Sequence, residues 1–126
     1  MLKQSEKELQ KMVCEYIKLK YPNVLFNSDM AGIKLTMGQA VAAKNLRSHN
    51  GFPDLAIYEP KRGYNGLFLE LKAEETKIHK KDGTFVSEHV REQNYILEEL
   101  KKRGFAATFS IGFDATRNFI DWYLGK

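Results

Sequence analysis

Apolar positions along this chain recur with two spacings, and the changes from one to the other mark out the elements. From Ser5 to about Lys20, Leu9, Met12, Val13, Tyr16 and Ile17 fall on one helical face, and Ser5 and Glu8 have the S-x-x-E spacing of a capping box. Pro22 ends that helix, and Asn23 to Asn27, holding Val24-Leu25-Phe26, predicts a short strand. A second helix is expected from Thr36 to about Arg47. Asp54 to Tyr58 and Leu67 to Lys72 predict two strands joined through a turn at Gly63 to Asn65, hence a hairpin. Ser87 is the expected N-cap of a helix from Glu88 to Arg103 that Gly104 terminates. Phe105 to Ile111 is the next strand. Asp114 then caps a last helix that buries Phe119, Ile120, Tyr123 and Leu124 and stops at Gly125. The order predicts a central mixed β-sheet flanked by helices, of the α/β or α+β class.

Polar residues at apolar positions change that picture. Side chains alternate along a strand, so Phe68, Glu70 and Lys72 share one face and Leu67, Leu69 and Leu71 the other. In a hairpin the start of one strand lies beside the end of the next, which brings Asp54 near Glu70 and Lys72. Along the Glu88 helix, Gln93 interrupts the stripe of Val90, Leu97 and Leu100, and a buried amide needs a partner. Along the first helix, Glu6 shares the stripe of Leu9 and Val13, a candidate third carboxylate; Glu8 is taken up by the capping box. Two carboxylates and a lysine at one strand end suit hydrolysis of a phosphodiester. Carboxylate oxygens are hard ligands for Mg²⁺ or Mn²⁺, which acidify water and stabilise charge on a reacting phosphate. A lysine can orient or deprotonate that water.

Composition and charge narrow the partners. The 126 residues suffice for one domain spanning 1–126 with its own core, and 43% are apolar and 29% charged. No apolar run reaches membrane-spanning length, the start lacks a secretory pattern, and the single Cys14 fits a reducing compartment, so a cytoplasmic protein is expected. Cys14 reads as a small buried side chain. The net charge of +4 is modest, but Lys77, Lys80 and Lys81 cluster in one stretch and Lys61-Arg62 in a turn, where phosphate contacts are possible. Lys44 and Arg47 on the second helix join Lys77, Lys80 and Lys81 as candidate DNA-binding residues. His49, His79 and His89 lack metal-ligand spacing.

The set Asp54, Glu70, Lys72 and Gln93 resembles the PD-(D/E)xK nuclease superfamily and, more narrowly, the VRR-NUC family. The matching pieces are Glu6 followed by Gln10, then Gly51-Phe52-Pro53-Asp54-Leu55, Leu67-Phe68-Leu69-Glu70-Leu71-Lys72, and Gln93 leading a helix that ends at Arg103-Gly104. The resemblance runs from about Ser5 to Leu124 and implies a restriction-endonuclease-like fold. It further implies that Asp54, Glu70 and the Leu71 carbonyl ligate Mg²⁺ or Mn²⁺, with Glu6 contributing directly or through water. Lys72 would activate the attacking water and Gln93 would steady Lys72 or that water. The activity it implies is a metal-dependent, structure-selective DNA endonuclease acting on Holliday junctions or other branched DNA, as a homodimer. Where relatives often carry Ser three residues before the helical Gln, this chain has Val90. Two other readings stand beside it: a non-catalytic nucleic-acid-binding module of the same fold, and a sequence-specific restriction-type nuclease.

Overall fold

A computed structural model describes residues 4–29 and 35–125. The elements are α1 (Glu6–Lys20), β1 (Phe26–Ser28), α2 (Met37–Asn45), β2 (Leu55–Ile57), β3 (Leu67–Lys72), α3 (Glu88–Lys102), β4 (Ala106–Ile111) and α4 (Phe113–Leu124). The strands lie in the sheet order β1-β2-β3-β4. The first two pairings are antiparallel, whereas β4 returns parallel to β3 after the α3 crossover. The result is the mixed, helix-flanked α+β sheet that the hydrophobic pattern predicts.

The alternation along β3 decides what each face of the sheet carries. Leu67, Leu69 and Leu71 join Leu55 and Ile57 of β2 in a core closed by Leu9, Val13 and Ile17 of α1 and Ile120, Tyr123 and Leu124 of α4. Truncating any one of these leucines to alanine costs about 2–5 kcal/mol, because the cavity collapses only in part. Asp121 lashes the two helices together by accepting the hydroxyls of Tyr16 (2.6 Å) and Tyr21 (2.7 Å). The opposite face lies under α3, whose Val90, Gln93, Ile96 and Leu97 are buried. There Phe68 meets Phe105 edge to face at 5.1 Å, and Glu70 meets Gln93.

Helix ends follow the caps. Ser5 and Glu8 form the expected capping box, Ser87 accepts from the Val90 N–H, and α3 stops where Gly104 turns to φ 89°. Several boundaries and side chains differ from the expectation. The first strand is Phe26–Ser28 rather than Asn23 to Asn27, because its pairing with β2 begins at Phe26↔Ile57 and continues to Ser28↔Leu55. The α4 cap is Gly112, not Asp114: Gly112 at φ 82° turns β4 directly into the helix, and Asp114 lies in the first turn instead. Met12 leaves the α1 stripe and is exposed, and Phe119 and Leu100 are only half-buried. Cys14 is half-buried, not fully so.

The β2–β3 connection tightens one residue earlier than expected. Lys61 and Tyr64 exchange backbone hydrogen bonds of 3.0 and 2.8 Å around Arg62 and Gly63, which both have positive φ, as a two-residue type I′ turn requires. Arg62 and Lys61 do not form a loose phosphate-contacting pair. Lys61 donates to the Leu124 carbonyl, and Arg62 donates to those of Trp122 and Gly125 while lying over the Trp122 ring. Two cations thus meet the negative end of α4.

Candidate active site

Asp54 immediately precedes β2. The register sets Leu55 opposite Leu69, and its next step places Asp54 opposite Glu70. One step further the ladder reaches Pro53, which has no N–H and ends regular pairing there. The Asp54 carboxylate takes over at that point: its Oδ2 accepts the Leu71 N–H at 2.8 Å. In an antiparallel ladder the N–H and C=O of one residue leave on the same side, so the Leu71 carbonyl also faces Asp54. The preceding loop is held just as firmly. Gly51 has φ 89°, and a Cβ there would lie 2.9 Å from the backbone of Glu92 and Gln93, so the loop rests directly on α3. That contact brings the turn of α3 bearing Gln93 over Glu70.

Asp54 (8% exposed), Glu70 (3%), Lys72 (6%) and Gln93 (4%) account for four of the six buried polar side chains of the described residues. Gln93 donates from Nε2 to Glu70 Oε1 at 2.6 Å, and Lys72 Nζ stands 3.9 Å from the same oxygen. Burial, and then the Asp54 carboxylate beside it, push the Glu70 carboxyl up to about 9, against the pull of Lys72. Burial likewise raises Asp54, opposed by the Leu71 N–H; Glu6 and Asp29 add like charge to it. At neutral pH the pair therefore retains a proton that two solvated carboxylates would have lost.

The donor set fits a hard divalent cation. Glu70 Oε2 and Gln93 Oε1 are buried without a hydrogen-bond partner, an expensive arrangement unless something else satisfies them. Asp54, Glu70 and the Leu71 carbonyl offer only oxygen, the chemistry Mg²⁺ and Mn²⁺ favour. Among the described residues no group of three or more His, Cys, Asp or Glu side chains stands together as a metal cluster. Glu6 is accordingly not gathered into the pair. It is exposed in the first turn of α1 and reaches Asp54 and Glu70 only through its field.

Three neighbours of the site do not stand out in the apolar pattern. Asp29 follows β1, gives its N–H to the Asp54 carbonyl at 2.8 Å and adds charge to the Asp54 carboxylate. Gln10 of α1 donates to Ser28 Oγ at 2.6 Å and to the Asp29 carbonyl, while Ser28 Oγ donates to the Asp54 carbonyl at 2.6 Å. His89, one turn before Gln93, has its Nε2 3.1 Å from Gln93 Nε2. The i, i+4 spacing of His89 and Gln93 is the one signal that could have paired them. Asp29 and Gln10 depend on strand order, which a linear pattern does not contain.

The basic residues lie outside this cluster. Lys44 is exposed on α2, and Arg47 turns back to cap that helix at the Ala43 carbonyl, 3.2 Å away. Lys77, Lys80 and Lys81 are exposed between β3 and α3. Their segment folds on itself through Lys80 N–H to Thr84 O (2.7 Å) and Val86 N–H to Ile78 O (3.0 Å), with the His79 ring against Phe85. It presents the three lysines on a small hairpin.

The overall architecture matches a solved structure described as a VRR_NUC domain protein, with a TM-score of 0.71 at 21% identity, over 98% of this chain and 91% of that one. The fold is that of a VRR_NUC domain. No family model matches the sequence, and no curated protein does. At 21% identity the likeness is one of fold alone. Among the described residues, no helix is long and apolar enough to cross a membrane.

Proposed function

We propose that this protein is a divalent-metal-dependent DNA endonuclease that hydrolyses phosphodiester bonds, with branched DNA such as Holliday junctions as its substrate. The observation that carries the reading is the buried Asp54–Glu70 pair, with Glu70 Oε2 lacking any donor and Lys72 and Gln93 directed at the other Glu70 oxygen. Such a pair works against stability, and binding nucleic acid alone does not require it. Asp54, Glu70 and the Leu71 carbonyl would hold Mg²⁺ or Mn²⁺, with Glu6 contributing through its charge or a water. Bound there, the cation would acidify a water and offset the charge that builds on the phosphate. Lys72 supplies an ammonium beside Glu70 to orient that water or meet a phosphate oxygen. Gln93 fixes the Glu70 carboxylate and presents Oε1 as an acceptor for the water or for Lys72.

Lys44, Arg47, Lys77, Lys80 and Lys81 are the residues we assign to the DNA backbone, a role that exposure and charge support and that needs no base reading. A homodimer is supported by α2, which buries no side chain and leaves Met37 and Val41 exposed beside Leu46. Two equivalent sites would suit the symmetry of a four-way junction. A plasmid-nicking assay, extended to junction, flap, single-stranded and duplex substrates with Mg²⁺, Mn²⁺ or EDTA, tests the whole reading. Wild type is expected to cut with metal and stop with EDTA, while Asp54→Ala does not cut. Equal inactivity of both proteins on every substrate would instead leave a non-catalytic binding module. Cleavage confined to one duplex sequence would indicate a restriction-type enzyme.

A further inference from the structure

A groove runs along the outer face of α3, turned away from the buried Gln93, and is bordered by Phe52, two residues before Asp54. It consists of a cavity of about 530 Å³ lined by His49, Arg91 and Tyr95 among others, and a second of about 300 Å³ that shares His49 and Tyr95 and adds Phe52 and Arg103. Both volumes lie in the range of ligand pockets, ~300–1,000 Å³. The rings are displayed by the same contacts that build the site. Phe52 is 36% exposed although Gly51 and Pro53 on either side of it are buried and Gly51 is seated on α3. Tyr95 is half exposed two residues beyond Gln93, with the His49 ring 5.9 Å from its own.

The groove carries three carboxylates, Glu88, Glu92 and Glu99, against two arginines, so it has no excess of positive charge. Arg91 pairs with Glu88 at 3.7 Å and Arg103 with Glu99 at 3.2 Å, each along the helix. A groove of this kind is poorly suited to gripping phosphates and well suited to flat aromatic ligands. Every nucleobase has such a face, and stacking on protein aromatics is the sequence-tolerant way to hold single strands. The bases of a duplex are already stacked on each other, whereas those of an unpaired arm are free to enter.

We propose that this groove binds the unpaired bases of a single-stranded DNA arm next to the scissile phosphate, by stacking on Phe52, Tyr95 and His49. The proposal rests on the nuclease reading in taking DNA as the ligand, and among branched DNAs it favours forks and flaps, whose unpaired arm a fully paired four-way junction lacks. 2-Aminopurine placed at successive unpaired positions of a forked duplex reads the stacking directly, in EDTA, where no cleavage is needed. Wild type is expected to quench the probe at the one or two positions nearest the fork. Phe52→Leu and Tyr95→Leu, checked for unchanged melting temperature, should lose the quenching and bind the forked DNA roughly ten-fold more weakly. Their affinity for blunt duplex should not change.

The inference is overturned if fluorescence anisotropy shows forked DNA bound while the probe stays unquenched, or if both variants behave as wild type. It is also overturned if 2-aminopurine deoxyriboside alone is quenched as strongly as the arm, which marks a small-molecule site. Failure of the two readings is separable. Quenching without cleavage under any metal keeps the groove and removes the nuclease; cleavage without quenching does the reverse.

Discussion

Glu70 is kept where its charge is costly, and that has a measurable consequence. A carboxyl whose folded pKa is raised binds its proton more tightly in the native than in the unfolded chain. The stability this contributes is complete below the ordinary carboxylate range and is lost as pH rises towards the folded value of about 9. In EDTA the melting temperature of wild type should therefore fall between about pH 5 and pH 9. Glu70→Gln, which keeps an acceptor for Gln93, should flatten that profile and melt about 3–6 °C higher at pH 8. Mg²⁺ or Mn²⁺ should raise the wild-type melting temperature at pH 8 and leave the variant unmoved; scanning calorimetry across the pH series checks both. Lys72→Met should lower cleavage by roughly 10²–10⁴-fold while DNA binding by anisotropy stays within about two-fold, since its ammonium is buried beside Glu70 rather than exposed like the lysines we assign to the DNA backbone. At this scale the sequence was informative: alternation puts Glu70 and Lys72 on one face, and a polar residue on the α3 stripe singles out Gln93. Asp29 escaped, because it becomes a neighbour of Asp54 only when β1 pairs with β2.

The elements owe their placement to a few backbone positions, and glycine comparisons separate the causes. Gly51 and Gly83 have nearly the same φ, 89° and 88°, but a Cβ at Gly51 would strike the α3 backbone whereas one at Gly83 meets open space. Gly83→Ala should cost only the conformational penalty, about 1 kcal/mol, and Gly51→Ala distinctly more, about 3 kcal/mol, because helix and loop must part. Urea denaturation of the two variants decides it, and Gly51→Ala should also lose activity through the displaced Gln93. Capping residues made helix starts readable at Ser5 and Ser87, where the side chain itself fills the need. They misled at Asp114, where a glycine with positive φ lets strand run into helix without a side-chain cap. The turn at Arg62-Gly63 was displaced by one residue for a related reason: nothing in an arginine announces a positive φ, and the carbonyls of Trp122 and Gly125 hold it there.

Taken whole, the molecule is weakly cationic, and the hairpin that follows β3 gathers three exposed lysines, the ones we propose meet a DNA backbone. The combined Lys77→Ala, Lys80→Ala, Lys81→Ala variant should reduce the slope of log affinity against log salt by about two to three for duplex DNA, measured by anisotropy. An unchanged slope would remove the hairpin from the DNA path. What the sequence by itself determined is the set of periodic elements, the helix-flanked mixed sheet, and the company of Asp54, Glu70, Lys72 and Gln93, since each follows from local periodicity, alternation and one hairpin. Tertiary structure alone decided that Lys61 and Arg62 serve α4, that Glu6 stands apart from the carboxylate pair, that Gln10, Asp29 and His89 surround it, and that Phe52 and Tyr95 open a groove along the outer face of α3. Those outcomes depend on strand order, on the docking of Gly51 against α3 and on which helix ends meet which turn. These are contacts between segments distant in the chain, and no local pattern encodes them.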